Sequence, residues 1–161
     1  VNYTDSVAAQ RAHWEAAGLL HRLIPVIGTE ENVEAQLLRA RALSAFGLAC
    51  TFLKHYRLAK RAYLQALKED PTDPVAAHNL GHLLAVKLAS PLGALYWLQR
   101  AHAGLPDNVE VAASLAHALV KTQQAERAVA ILARVLNDPT RASELVTSWL
   151  QQIARPNASS S

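Results

Sequence analysis

Prolines divide the chain at a regular interval. An apolar helical stretch precedes each of three proline positions, which are Pro71 (followed by Pro74), Pro106 and Pro139. Pro106 follows Pro71 by 35 residues, and Pro139 follows Pro106 by 33. A sequence period of this length indicates an internal repeat of small supersecondary units. The stretches between the prolines predict three pairs of helices: Glu30 to Leu53 with Tyr56 to Glu69, Pro74 to Lys87 with Pro91 to Gly104, and Asn108 to Lys121 with Gln124 to Asn137.

The first helix of each pair carries small or apolar residues at i, i+3, i+4 and i+7. These sets are Leu43, Phe46, Gly47 and Cys50; Ala77, Leu80, Gly81 and Leu84; and Ala112, Leu115, Ala116 and Leu119. The second helices have matching alanines and larger apolar residues, and small residues let two helix backbones approach closely. Because β-branched residues form no alternating runs, the pattern predicts an all-α protein.

The stretch "AYLQALKEDPTDPVAAHNLGHLL" resembles the tetratricopeptide repeat family. Ala66, Leu67 and Pro71 are similar to the end of one repeat, and Leu80 and Gly81 to the first helix of the next. The resemblance covers about Ala40 to Pro139, with departures at Ala77, Ala112 and the turn "KLASPLG". It implies a right-handed α-solenoid of antiparallel helix pairs, with about eight helices in all.

The repeats define a predicted division of the chain. We expect a single domain over residues 1–154, comprising an N-terminal helical region at 5–39, three repeats at 40–139 and a capping helix at 140–154. Repeat arrays need such a cap because the last apolar face has no further neighbour. Residues 155–161 are predicted to form a disordered tail.

Two histidines, His78 and His82, lie four residues apart on one predicted helix. In the repeat register they point away from the packed layer, along the concave surface formed by successive first helices, and His117 occupies the position equivalent to His82. Histidines at i and i+4 can bind zinc, but Asn79 stands where a metalloprotease has its catalytic glutamate. A ligand-binding groove, ordinary surface histidines and a metal site are therefore the three interpretations.

The family resemblance refines the groove interpretation. Relatives that hold the acidic C-terminus of heat-shock chaperones use a clamp of lysine, arginine and asparagine, and only Asn79 matches it here. The resemblance thus implies a groove of mixed apolar, histidine and basic character instead. The residues predicted to line it are Arg41, Ser44, Leu48, Phe52, His78, Asn79, His82, Val86, Ala113, His117 and Lys121.

Composition and charge exclude several other classes of function. The formal net charge of +3 is mild, and the basic cluster of Lys54, Arg57, Lys60 and Arg61 is most simply a solvated helix face. Nucleic-acid domains usually add a larger basic patch and stacking aromatics. Cys50 is the single cysteine, so the chain has no internal disulfide and no cysteine-based zinc site. No apolar run reaches the roughly 18 residues of a membrane span.

These observations predict a protein–protein interaction module or scaffold that binds a peptide, helix or loop of another protein in its concave groove. The alternatives are homo-oligomeric self-association and, with less support, a metal-dependent activity at the histidines. We expect no enzyme activity, no cofactor, no resident metal, no nucleic-acid partner and no membrane span. A cytoplasmic location is the default prediction, with the periplasm and other compartments left open.

Overall fold

A computed structural model of the chain describes residues 3–27 and 32–155. Within these residues it contains eight helices and no strand, which confirms the predicted all-α architecture. Their bounds are α1 Tyr3–Val26, α2 Val33–Phe52, α3 Tyr56–Glu69, α4 Pro74–Val86, α5 Pro91–Gly104, α6 Val109–Lys121, α7 Ala125–Leu136 and α8 Pro139–Ala154. Most of the predicted tail, residues 156–161, lies outside the described residues, as do residues 28–31 of the predicted N-terminal region.

Side-chain caps begin α2, α4, α6 and α8. Asp73 accepts hydrogen bonds from the amides of Val75 and Ala76, at 2.9 and 3.2 Å. Asn32, Asn108 and Asp138 each accept one from an amide three residues later, at 2.7 to 3.0 Å. Each bond satisfies a helical amide that has no partner within its own helix.

The caps of two other helices depend on the residue at which each helix begins. Asn108 caps α6, and the preceding Asp107 does not, because the capping oxygen must come from the residue directly before the first helical residue. Ser90 lies at the N-cap of α5, but its hydroxyl makes no capping hydrogen bond. The turn from Lys87 to Ser90 has four residues, whereas the turns joining α2 to α3 and α6 to α7 have three.

The helices pack as antiparallel pairs, α2 with α3, α4 with α5 and α6 with α7, and each pair contacts the next. Two glycines on the first helices mark close approaches within pairs. A Cβ on Gly47 would lie 2.8 Å from the ring of Tyr63, and one on Gly81 would lie 2.6 Å from Cγ of Leu98. The second contact also brings the backbone nitrogen of Leu98 to 3.2 Å from that Cβ. These spacings leave no room for a larger residue, so the packed core runs between the helices of each pair.

The flanking helices α1 and α8 lie at the two ends of the stack. Helix α1 runs antiparallel to α2, since His13 stacks on Phe52 at 4.2 Å between ring centroids and His21 lies beside Phe46. Helix α8 packs on α6 and α7 through the buried Ala142 and Val146. Among the described helices, none is both long enough and apolar enough to cross a membrane.

Candidate functional site

The first helices of the three pairs, α2, α4 and α6, line two open cavities that meet at His82. One, of about 310 Å³, is lined by Leu48, Thr51, Phe52, Tyr63, His78, Asn79, His82, Leu83, Lys87 and Glu110. The other, of about 300 Å³, is lined by His82, Ala85, Val86, Leu98, Ala113, Ser114 and His117. We call the two together the groove. It crosses three successive helices, so its shape is set by the stacking of the pairs.

The structure brings eight of the eleven predicted residues into the groove. They are Leu48, Phe52, His78, Asn79, His82, Val86, Ala113 and His117. Arg41, Ser44 and Lys121 do not line it. Arg41 and Ser44 lie in the first half of α2, before the groove begins at Leu48, and Lys121 ends α6 one turn beyond His117.

His78 is held in place by two neighbouring side chains. Its Nε2 lies 2.9 Å from the hydroxyl of Ser114 on α6, so this hydrogen bond links two repeats. The ring of His82 lies 6.1 Å away, centroid to centroid. Burial lowers the pKa of His78, and the positive charge of a protonated His82 adds to that effect while Glu110 opposes it. The neutral imidazole is therefore favoured, and it can both donate and accept a hydrogen bond.

His117 forms the other end of the histidine row. Its ring meets the edge of Trp149 from α8, with 5.3 Å between centroids and an interplanar angle of 86°. Burial lowers the pKa of His117, and Lys121 and His82 lower it further. Trp149 is half-buried: it packs against the core and also borders the groove residue His117.

Sequence reasoning missed several residues of the groove. Ser114 follows Asn79 by 35 residues and occupies the equivalent position of the next repeat, so the register alone would have found it. Thr51, Lys87 and Glu110 lie at or near the ends of their helices and enter the groove because of how the turns are folded. A sequence period carries no signal for such residues.

The groove offers two kinds of surface. Leu48, Phe52 and Val86 expose apolar surface, while His78, Asn79 and Ser114 offer hydrogen-bond donors and acceptors. Within the described ranges, no three residues among histidine, cysteine, aspartate and glutamate lie close enough to hold a metal ion.

Comparisons with known proteins agree with the repeat architecture. The family model described as Tetratricopeptide repeat matches residues 90–148, which cover α5 to α7 and the first ten residues of α8. A solved structure titled "MamA MSR-1 C2" is similar to the chain, with a TM-score of 0.52 and 14% sequence identity. The similarity covers 90% of this chain and 94% of that one. No curated protein sequence matches the chain. The fold of this chain is thus a helical solenoid.

Proposed function

We propose that the chain binds a segment of another protein in the groove, because the tetratricopeptide-repeat model matches residues 90–148 and the eight helices fit such repeats, which are typically non-catalytic interaction modules. It acts through binding alone and performs no catalysis. The ligand is a peptide, helix or loop that carries apolar side chains and exposed backbone or polar hydrogen-bonding groups.

The main observation in support of binding is the exposed apolar surface inside the groove. Leu48, Phe52 and Val86 are 43%, 58% and 46% exposed, although they lie on helices whose other faces are buried in the core. Exposed apolar surface gathered in a concave site is typical of binding sites, because a ligand there removes it from water. The histidines and Asn79, which lie between these residues, can form directional hydrogen bonds with the ligand.

A rigid groove also favours binding on entropic grounds. The groove walls are helices whose opposite faces pack in the core, and His78 is tied to Ser114 across the repeat boundary. Little order is gained in the protein when a ligand docks, so the entropic cost falls mainly on the ligand. The alternative is that a second copy of the chain occupies this surface. Sedimentation over a range of protein concentrations tests for such self-association.

The test uses a partner captured from native lysate by the wild-type chain and then purified. The variant His78→Ala, His82→Ala, His117→Ala should weaken its binding by on the order of tenfold, since three ring contacts are lost. Helicity by circular dichroism should remain near the wild-type value, because none of the three belongs to the core. The comparison variant reverses charge outside the groove, at Lys54, Arg57, Lys60 and Arg61.

The charge-reversed variant should bind a groove ligand within about twofold of the wild type, because none of the four reversed side chains lines the groove. Retained binding in the histidine variant together with lost binding in the charge-reversed variant would place the site outside the groove. A concentration-dependent increase in mass that the histidine variant abolishes would assign the groove to self-association.

A further inference from the structure

A second apolar cavity system lies at the N-terminal end of the stack, between α1 and the pair α2 and α3. Its two parts, of about 360 and 240 Å³, share His21, Phe46 and Leu58 and are therefore continuous. We call it the Trp14 cleft. It follows α1 from Trp14 to Pro25, a length of about 17 Å at the helical rise per residue. It shares no lining residue with the groove.

The cleft is open because the backbone of α1 lies close to that of α2 but not to that of α3. Trp14 is 56% exposed at its mouth, and Leu58 of α3 is 43% exposed on the opposite wall. A Cβ built on Gly18 meets nothing within 4 Å, whereas the glycines of α2 and α4 touch their neighbours. A space of this length between two helices suits the side-chain row of a third helix.

Positive charge borders the apolar surface. Arg61 lines the cleft, and Arg57 lies one turn before it on α3, with Lys54 in the preceding turn. All three are exposed. Within residues 3–27 and 32–155 the ion pairs join Arg11 to Glu15 and Arg39 to Glu69, so none of the three cations takes part in one. A ligand with carboxylates beside its apolar row would complement this rim and would be steered toward it.

We propose that the Trp14 cleft binds an acidic amphipathic helix of a partner protein. Its apolar row enters between α1 and α3 beside Trp14 and Leu58, and its carboxylates contact Arg57, Arg61 and Lys54. This site is separate from the groove and does not depend on what the groove binds. A helix docked through one apolar face is a recurrent mode of peptide recognition.

The probe is a labelled helical peptide of about four turns, with leucines at i, i+3, i+4 and i+7 and glutamates flanking that row. Its affinity is followed by fluorescence anisotropy. The blocking variant Gly18→Leu places a side chain in the open space and should weaken binding by on the order of tenfold or more, because one apolar contact of the ligand is displaced. The matched variant Gly18→Ala adds only a Cβ and should stay within about threefold.

Two further comparisons test the charge component. Reversing Lys54, Arg57 and Arg61 to glutamate should weaken binding severalfold and reduce its salt dependence, since screened surface charges supply that part. A peptide with lysines in place of the glutamates should bind the wild type more weakly by a similar factor. The variant with alanines at His78, His82 and His117 should bind the acidic peptide as the wild type does, which keeps this test independent of the groove.

The proposal is overturned if the wild-type protein fails to bind the acidic peptide, or if Gly18→Leu binds it as tightly as Gly18→Ala does. Equal binding of the acidic and basic peptides would also overturn it, because the rim would then play no part in recognition. Self-association that disappears in Gly18→Leu would assign the cleft to a second copy of the chain instead.

Discussion

Helices α4 and α1 place the same residue types in opposite environments. In α4, Leu80, Leu83 and Leu84 are at most 6% exposed, and seven residues of the helix are buried. In α1, Leu19 and Leu23 are 60% and 47% exposed, and Ala17 is the one buried residue among the side chains described there. The contrast therefore does not come from a lack of apolar residues in α1.

The difference comes from the number of neighbours. The backbone of α4 lies close to those of α2, α3, α5 and α6, whereas among the described helices the backbone of α1 lies close only to that of α2. In a stacked repeat protein each unit buries its apolar face against the next, so an end unit keeps one face uncovered. At the opposite end, α8 contacts both α6 and α7. The N-terminal end is thus the less completely packed of the two, which is where the Trp14 cleft lies.

The largest effect that follows from this contrast is a difference between two leucines. Leu80→Ala in α4 should lower the free energy of unfolding by about 3 kcal/mol, because a fully buried side chain is replaced by a cavity. Leu19→Ala in α1 should change it by less than about 0.5 kcal/mol, since its side chain is largely in water. Chemical denaturation measures both. Equal losses would show that α1 is as well packed as α4.

A second pair of variants compares two helical glycines. Gly81→Leu should destabilise the protein by about 2 kcal/mol, because the new side chain meets Leu98, including its backbone nitrogen. Gly18→Leu should leave stability unchanged or raise it by up to about 0.8 kcal/mol, since leucine favours the helix and the space is open. Thermal unfolding reads out both. A stable Gly81→Leu variant would mean that the repeat register is wrongly assigned.

Much of the fold was predictable because its cause is local and periodic. Small residues recur every 34 or 35 positions, as from Gly47 to Gly81 and from Gly81 to Ala116, and this recurrence predicts which face of each helix packs. Prolines and capping residues then indicate where helices begin. The choice between Asp107 and Asn108 as the cap depends on the helix start to within one residue, and periodicity does not resolve that.

The sequence predicts which helix faces line the groove, but not how far the groove extends along each helix. The register predicts one surface for His78, His82 and His117, and all three line the groove, since residues at equivalent repeat positions share an orientation. Arg41 and Ser44 do not line it, because the period does not say how far along α2 the next repeat reaches. The Trp14 cleft depends on the position of α1 relative to α3, a long-range feature that the repeat period, which covers about Ala40 to Pro139, does not define.

The smallest expected effect is on the pH dependence of stability, through the protonation of two histidines in the central repeats. Burial lowers the folded-state pKa of His78 and of His117 below the value of about 6.5 that a free histidine has. Between the two pKa values the unfolded chain binds more protons than the folded one, so stability falls as the pH falls. This contribution is fully present above about pH 6.5 and is lost as the pH drops through the lowered folded-state pKa.

Replacing both residues, as His78→Gln with His117→Gln, should therefore flatten the dependence of the unfolding free energy on pH between about 7.5 and 5.5. Glutamine retains a hydrogen bond to Ser114 but does not titrate, so the comparison isolates the proton. Denaturation curves at several pH values measure the slopes of the wild type and the double variant. Parallel curves for wild type and double variant would mean that neither imidazole is desolvated in the folded groove, and that the central first helices expose their concave side chains as freely as α1 exposes its leucines.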